Sequence, residues 1–98
     1  MAQTPEGKVK ARLKKYLDEM GIYHFSPFQA GMGRAGIPDV IGCYRGMFVA
    51  FECKAGKGKP TALQEREIAA IRTAKGLAFV INEENVDNIK ELLQWNKN

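Results

Sequence analysis

The stretch from Asp39 to Lys54 constrains the fold of this chain more than any other. Two β-rich segments, Val40 to Tyr44 and Met47 to Lys54, flank the dipeptide Arg45-Gly46, which reads as a hairpin. Side chains alternate faces along a strand. Glu52 and Lys54 therefore share one face with Phe48 and Ala50, while Val49, Phe51 and Cys53 point to the other. A loop centred on Arg45-Gly46 pairs Tyr44 with Met47 and, counting outward, Asp39 with Glu52. Directly opposed residues have Cβ atoms about 4.5 to 5.5 Å apart, and like charges there are destabilising until something neutralises them. A divalent cation is the simplest neutraliser. A three-residue loop would shift the partner by one and separate the carboxylates, and Arg is an unfavourable residue for a primed turn. The second strand is apolar on both faces, so it reads as buried on both sides, where a carboxylate and an ammonium need partners.

Around the hairpin the pattern is mixed. Thr4 is a cap and Pro5 a first helical residue. Val9, Leu13, Tyr16, Leu17 and Met20 then recur at helical spacing until Gly21. Ile22 to Phe28 reads as an aromatic strand weakened by Pro27, its rings expected in the core. Ala55 to Pro60, AGKGKP, reads as a flexible basic loop. A second helix runs from Thr61 to a stop at Gly76, Leu77 to Ile81 is a buried strand, and Val86, Ile89, Leu92 and Leu93 mark a last helix. The order α-β-β-β-α-β-α contains one crossover, which predicts an α/β fold with a mixed central sheet flanked by helices.

A chain of 98 residues is the size of one small domain, so residues 1–98 are expected to form a single unit. Fifteen Lys and Arg against eleven Asp and Glu give a net charge of +4, which suits an acidic polymer. The longest apolar runs, Met47 to Phe51 and Leu77 to Ile81, are far short of the roughly 20 residues that span a bilayer. No apolar stretch follows the basic start, so no secretory signal and a cytoplasmic location are expected. Cys43 and Cys53 lie on opposite faces of the hairpin, which predicts free thiols.

Gly36-x-Pro38-Asp39, then Glu52-x-Lys54 thirteen residues after the aspartate, then Gln64 opening the next helix, resemble the PD-(D/E)XK nuclease superfamily. Within it the chain is most similar to the virus-type replication-repair nuclease domain, VRR-NUC, in its stand-alone phage form, over roughly residues 4 to 81. The resemblance implies a restriction-endonuclease-like core and a metal-dependent deoxyribonuclease. It implies that Asp39, Glu52 and the backbone carbonyl of Cys53 bind Mg²⁺ or Mn²⁺, for which oxygen ligands are suited. Glu6, from the first helix, corresponds to the family's further acidic residue at the metal; it is also a first-turn Glu facing the helix dipole. Lys54 corresponds to the motif lysine, which would orient the attacking water or stabilise charge on the phosphate. Gln64 corresponds to the glutamine near the site, although Thr61-x-x-Gln64 is also a capping-box spacing. The resemblance further implies a homodimer acting on branched DNA, similar to a Holliday junction resolvase. Longer relatives instead cut flaps.

Lys57 and Lys59, just after the catalytic strand, and Arg34 on the other side are placed to contact phosphates. Gly31 to Gly36 spells GxGxxG, but Pro38 follows too soon for a helix, so no nucleotide cofactor is expected. The competing class is a non-enzymatic nucleic-acid-binding module, in which Tyr23, Phe25 and Phe28 could stack on bases. Charge logic favours the nuclease, because Asp39 and Glu52 repel a phosphate until a cation sits between them.

Overall fold

The computed structural model describes residues 3–28 and 34–95. Residues 31–33 of the GxGxxG stretch lie outside them. Helix α1 spans Pro5–Glu19 and starts as its sequence dictates, with Thr4 Oγ1 accepting from the Gly7 amide at 2.9 Å and Pro5 in the first turn. It stops at Gly21, whose φ of 70° lets the Ile22 amide reach back to the Leu17 carbonyl at 2.9 Å.

Strand β1 spans Tyr23–Phe25, β2 Val40–Tyr44 and β3 Met47–Cys53. Helix α2 (Ala62–Thr73) crosses over to β4 (Leu77–Ile81), and a 3-10 turn at Val86–Asn88 leads into α3 (Ile89–Trp95). The four strands lie in the order β1-β2-β3-β4, with β1 to β3 antiparallel and β4 parallel to β3. The hairpin turn is the two-residue form. Arg45 and Gly46 both have positive φ, 53° and 81°, the signature of a type I′ turn, and the Arg45 guanidinium lies over the Tyr44 ring. Tyr44 therefore pairs with Met47 and Val40 with Phe51, where the ladder ends just before Asp39 and Glu52.

Each sheet face carries its own core. Val49, Phe51 and Cys53 face Val9, Leu13 and Leu17 of α1 and Ile89 and Leu93 of α3, and the fully buried Phe51 ring stacks on Phe79. Burying each such side chain contributes about 1.5 to 3 kcal/mol. On the opposite face Ala50 and Ala78 pack under Ile68 of α2. The small alanines bring α2 close to β3 and β4, and Arg72 of α2 donates to the Ala78 carbonyl at 2.6 Å.

Three expectations need correction. Strand β1 is three residues long, because Pro27 ends its ladder. Its aromatic side chains are not core: Tyr23 is 71 %, Phe25 47 % and Phe28 90 % exposed, since α2 covers only the β3–β4 half of that sheet face. The AGKGKP loop is also anchored. Its Gly56 amide donates to the Glu83 carboxylate at 3.0 Å, and Gly58 closes a turn on Ala55. Both cysteines are free, Cys43 exposed and Cys53 buried.

Candidate metal centre

Asp39 leads into β2 directly after the buried Pro38, and Glu52 and Cys53 end β3. The end of the hairpin remote from its turn thus brings the two acidic residues together. Asp39 Oδ2 accepts from the Cys53 amide at 2.8 Å, which fixes this carboxylate across the hairpin's open end. Glu6, in the first turn of α1, joins them from the opposite layer: one carboxylate oxygen from each of Glu6, Asp39 and Glu52 lies within 4.8 Å of the others. All three face or adjoin a cleft of about 530 Å³ between the start of α1 and the end of β3, lined by Thr4, Glu6, Lys10, Asp39, Cys53 and Ala55.

Glu52 is the unusual member. Its side chain is 1 % exposed, its Oε2 lies 3.4 Å from Lys54 Nζ, and its Oε1 is buried without a hydrogen-bond partner. Burial first, then the Asp39 charge, push its pKa from the ordinary 4.5 up to about 7, with Lys54 pulling the other way. The same surroundings push the Cys53 thiol up to about 12. Three acceptor-only oxygens close together, one of them buried and unsatisfied, form the donor set a hard divalent cation prefers, so these residues fit such an ion.

Lys54 is anchored by its own backbone. Its amide donates to the Ile81 carbonyl at 2.8 Å, prolonging the β3–β4 ladder by one step, and its side chain is only 12 % exposed. Gln64, Arg34, Lys57 and Lys59 are not among the residues that line this cleft. Gln64 sits in a capping box, its Oε1 accepting from the Thr61 amide at 2.9 Å while its own amide donates to Thr61 Oγ1 at 3.2 Å. Arg34 is held by Glu67, to whose two carboxylate oxygens its Nε donates at 2.9 and 3.1 Å. That pairing holds Glu67 below the usual carboxylate range. Lys57 and Lys59 are exposed in the anchored loop. Cys53 is tied to the site through its amide.

Sequence reasoning did not single out Lys10, yet it lines the cleft. The available signal was its spacing of four from Glu6, which places both on one side of the helix.

A mixed sheet with a hairpin carrying Asp39, Glu52 and Lys54, a helix packed before it and a crossover helix after it define a restriction-endonuclease-like nuclease fold. The archaeal Holliday junction resolvase (Hjc) family model matches residues 4–81, and the chain belongs to that family. No curated protein and no solved structure matches the chain.

Proposed function

We propose that this nuclease is a Mg²⁺- or Mn²⁺-dependent endonuclease that cuts four-way junction DNA. The observation that carries the reading is the convergence of Glu6, Asp39 and Glu52 beside Lys54, with Glu52 Oε1 buried and unsatisfied. Asp39 and Glu52, with Glu6 and the Cys53 carbonyl, would hold the ion. When bound, it lowers the pKa of a water and polarises the scissile phosphodiester. The chain's own residues do the positioning. The Cys53 amide keeps Asp39 in place. The Lys54 ammonium, held on a short tether at the strand end, hydrogen-bonds the attacking water or a phosphate oxygen and counters charge as it develops there. Lys57 and Lys59 draw the flanking phosphates in. Arg34 reaches the backbone with whatever its bond to Glu67 leaves free, its side chain being 69 % exposed.

The preference for a branched substrate rests on the family's name. A homodimer, the virus-type replication-repair assignment, a phage source with work in the host cytoplasm, and a single domain over residues 1–98 complete this reading. The uncovered aromatic half of the sheet, with Phe48 also 45 % exposed, supports a second copy as its occupant.

Labelled four-way junction, flap, duplex and single-stranded DNA, incubated with Mg²⁺, Mn²⁺ or EDTA, test the proposal. Junction cleavage should need the metal, and Asp39→Ala and Lys54→Ala should abolish it while binding persists. Preferential cutting of the flap would replace the resolvase with a flap nuclease. Metal-independent binding without any cleavage, equal in wild type and variants, would leave a binding module.

A further inference from the structure

Lys10 differs from the other cations of α1. Lys8 and Lys15 are exposed, Arg12 is engaged by Asp87, and of the two part-buried lysines, Lys10 and Lys14, only Lys10 lines the cleft. It faces the cleft one helical turn from Glu6, beside Asp39 and Cys53, and its charge acts on the Cys53 thiol. Among the described residues its side chain forms no ion pair or hydrogen bond. A partly desolvated cation directed into a site costs free energy that a bound anion would recover.

The charge balance shows which anion. Three ionised carboxylates, one divalent cation and Lys54 sum to zero, so the loaded centre alone offers no net attraction to DNA. Lys10 raises the cleft to +1, the complement of one phosphodiester. We propose that Lys10 is a substrate-positioning residue whose ammonium holds a phosphate of the DNA strand entering this cleft, while repelling the cation the same cleft binds. This rests on the nuclease reading given above. It assigns Lys10 two effects of opposite sign, which a residue acting only through packing cannot produce.

Lys10→Met keeps the apolar stem and removes the charge, Lys10→Arg keeps the charge, and Lys15→Met is an exposed control on the same helix. Binding of a four-way junction is measured with Ca²⁺ occupying the carboxylate site across a range of salt concentrations, and Mn²⁺ binding by calorimetry without DNA. Lys10→Met should bind DNA about 5- to 10-fold more weakly at 0.1 M salt, with the slope of log affinity against log salt smaller by about 0.9. It should bind Mn²⁺ about threefold more tightly. Lys10→Arg should restore DNA affinity, and Lys15→Met should leave Mn²⁺ affinity unchanged. Weakening of both ligands in Lys10→Met, or an unchanged salt slope, overturns the assignment. If the wild type binds no Mn²⁺, the nuclease reading falls, and the salt slope alone then decides for or against Lys10.

Discussion

Glu52→Gln should stabilise the metal-free protein at neutral pH, although it removes an acidic residue from the candidate centre. A carboxylate whose folded pKa of about 7 lies above its unfolded value near 4.5 keeps its proton in the folded state while the unfolded chain has released it. Its contribution to stability is therefore complete below about pH 4.5 and is lost as pH rises towards 7, at about 1.4 kcal/mol per pH unit. Between pH 5 and 8 the wild type in EDTA should lose roughly 2 to 3 kcal/mol of unfolding free energy, equivalent to roughly 10 to 20 °C in Tm for a domain this size. Glu67 and Asp87 do not interfere, because their partners hold them below the usual carboxylate range and they stay ionised throughout. The glutamine is isosteric and can donate to Asp39 as the protonated acid would, so the variant should lack this fall. Urea unfolding of both proteins at half-unit pH steps reads the difference directly, and other titrating groups cancel in the comparison. Mg²⁺ should return the lost stability to the wild type at pH 8 and not to the variant. A wild type whose stability is flat or rises over this range, or a Glu52→Gln protein with the same slope, would refute the reasoning.

Three further outcomes test the frame around the site. Lys75 occupies the left-handed position at the end of α2 with φ 76°, so Lys75→Gly should gain roughly 0.5 to 1 kcal/mol in urea unfolding and leave cleavage unchanged. Gly36→Ala should cost roughly 2 to 4 kcal/mol, since φ is 78° and a Cβ there would lie 2.6 Å from the Leu63 carbonyl oxygen; circular dichroism during denaturation reads the loss. Thr61→Ala and Gln64→Ala each remove half of the capping box and should lose about 1 kcal/mol apiece. Cleavage rates in the two variants should be equal, because the Gln64 side chain is held in the cap; slower cleavage in Gln64→Ala alone would instead place its amide at the substrate.

The hairpin was legible because its two constraints are local. Period-two alternation separates Phe51 and Cys53 from Glu52 and Lys54, and a two-residue turn fixes the register, even though Arg45 has to adopt a positive φ to make it. Thr4-Pro5 and Thr61-x-x-Gln64 were legible for the same reason, each being a bond between residues three apart. What the sequence could not show depends on how layers cover one another. Tyr23, Phe25 and Phe28 have the residue types of a core strand, and only the placement of α2 over Ala50 and Ala78 reveals that they face outward. Arg34 looked free because Glu67 reaches it from a distant helix. The end of α2 was read at Gly76, but the left-handed residue is Lys75. Gly76 is needed for a different reason, since a Cβ there would meet the Ile71 side chain at 2.9 Å.

The tight turn at Arg45-Gly46 lies six strand positions from Glu52, roughly 20 Å along β3, and touches none of the acidic residues. Surface turns usually accept extra residues, and this one is an obvious place to attach a tag or join a permuted chain. Here a single inserted residue that slipped one strand against the other would turn Asp39 away from Glu52, or else drive Phe51 and Cys53 out of the core, at the far end of the molecule. The turn is therefore a remote determinant of the centre, intolerant of insertion for a reason that no list of residues near the cleft would contain.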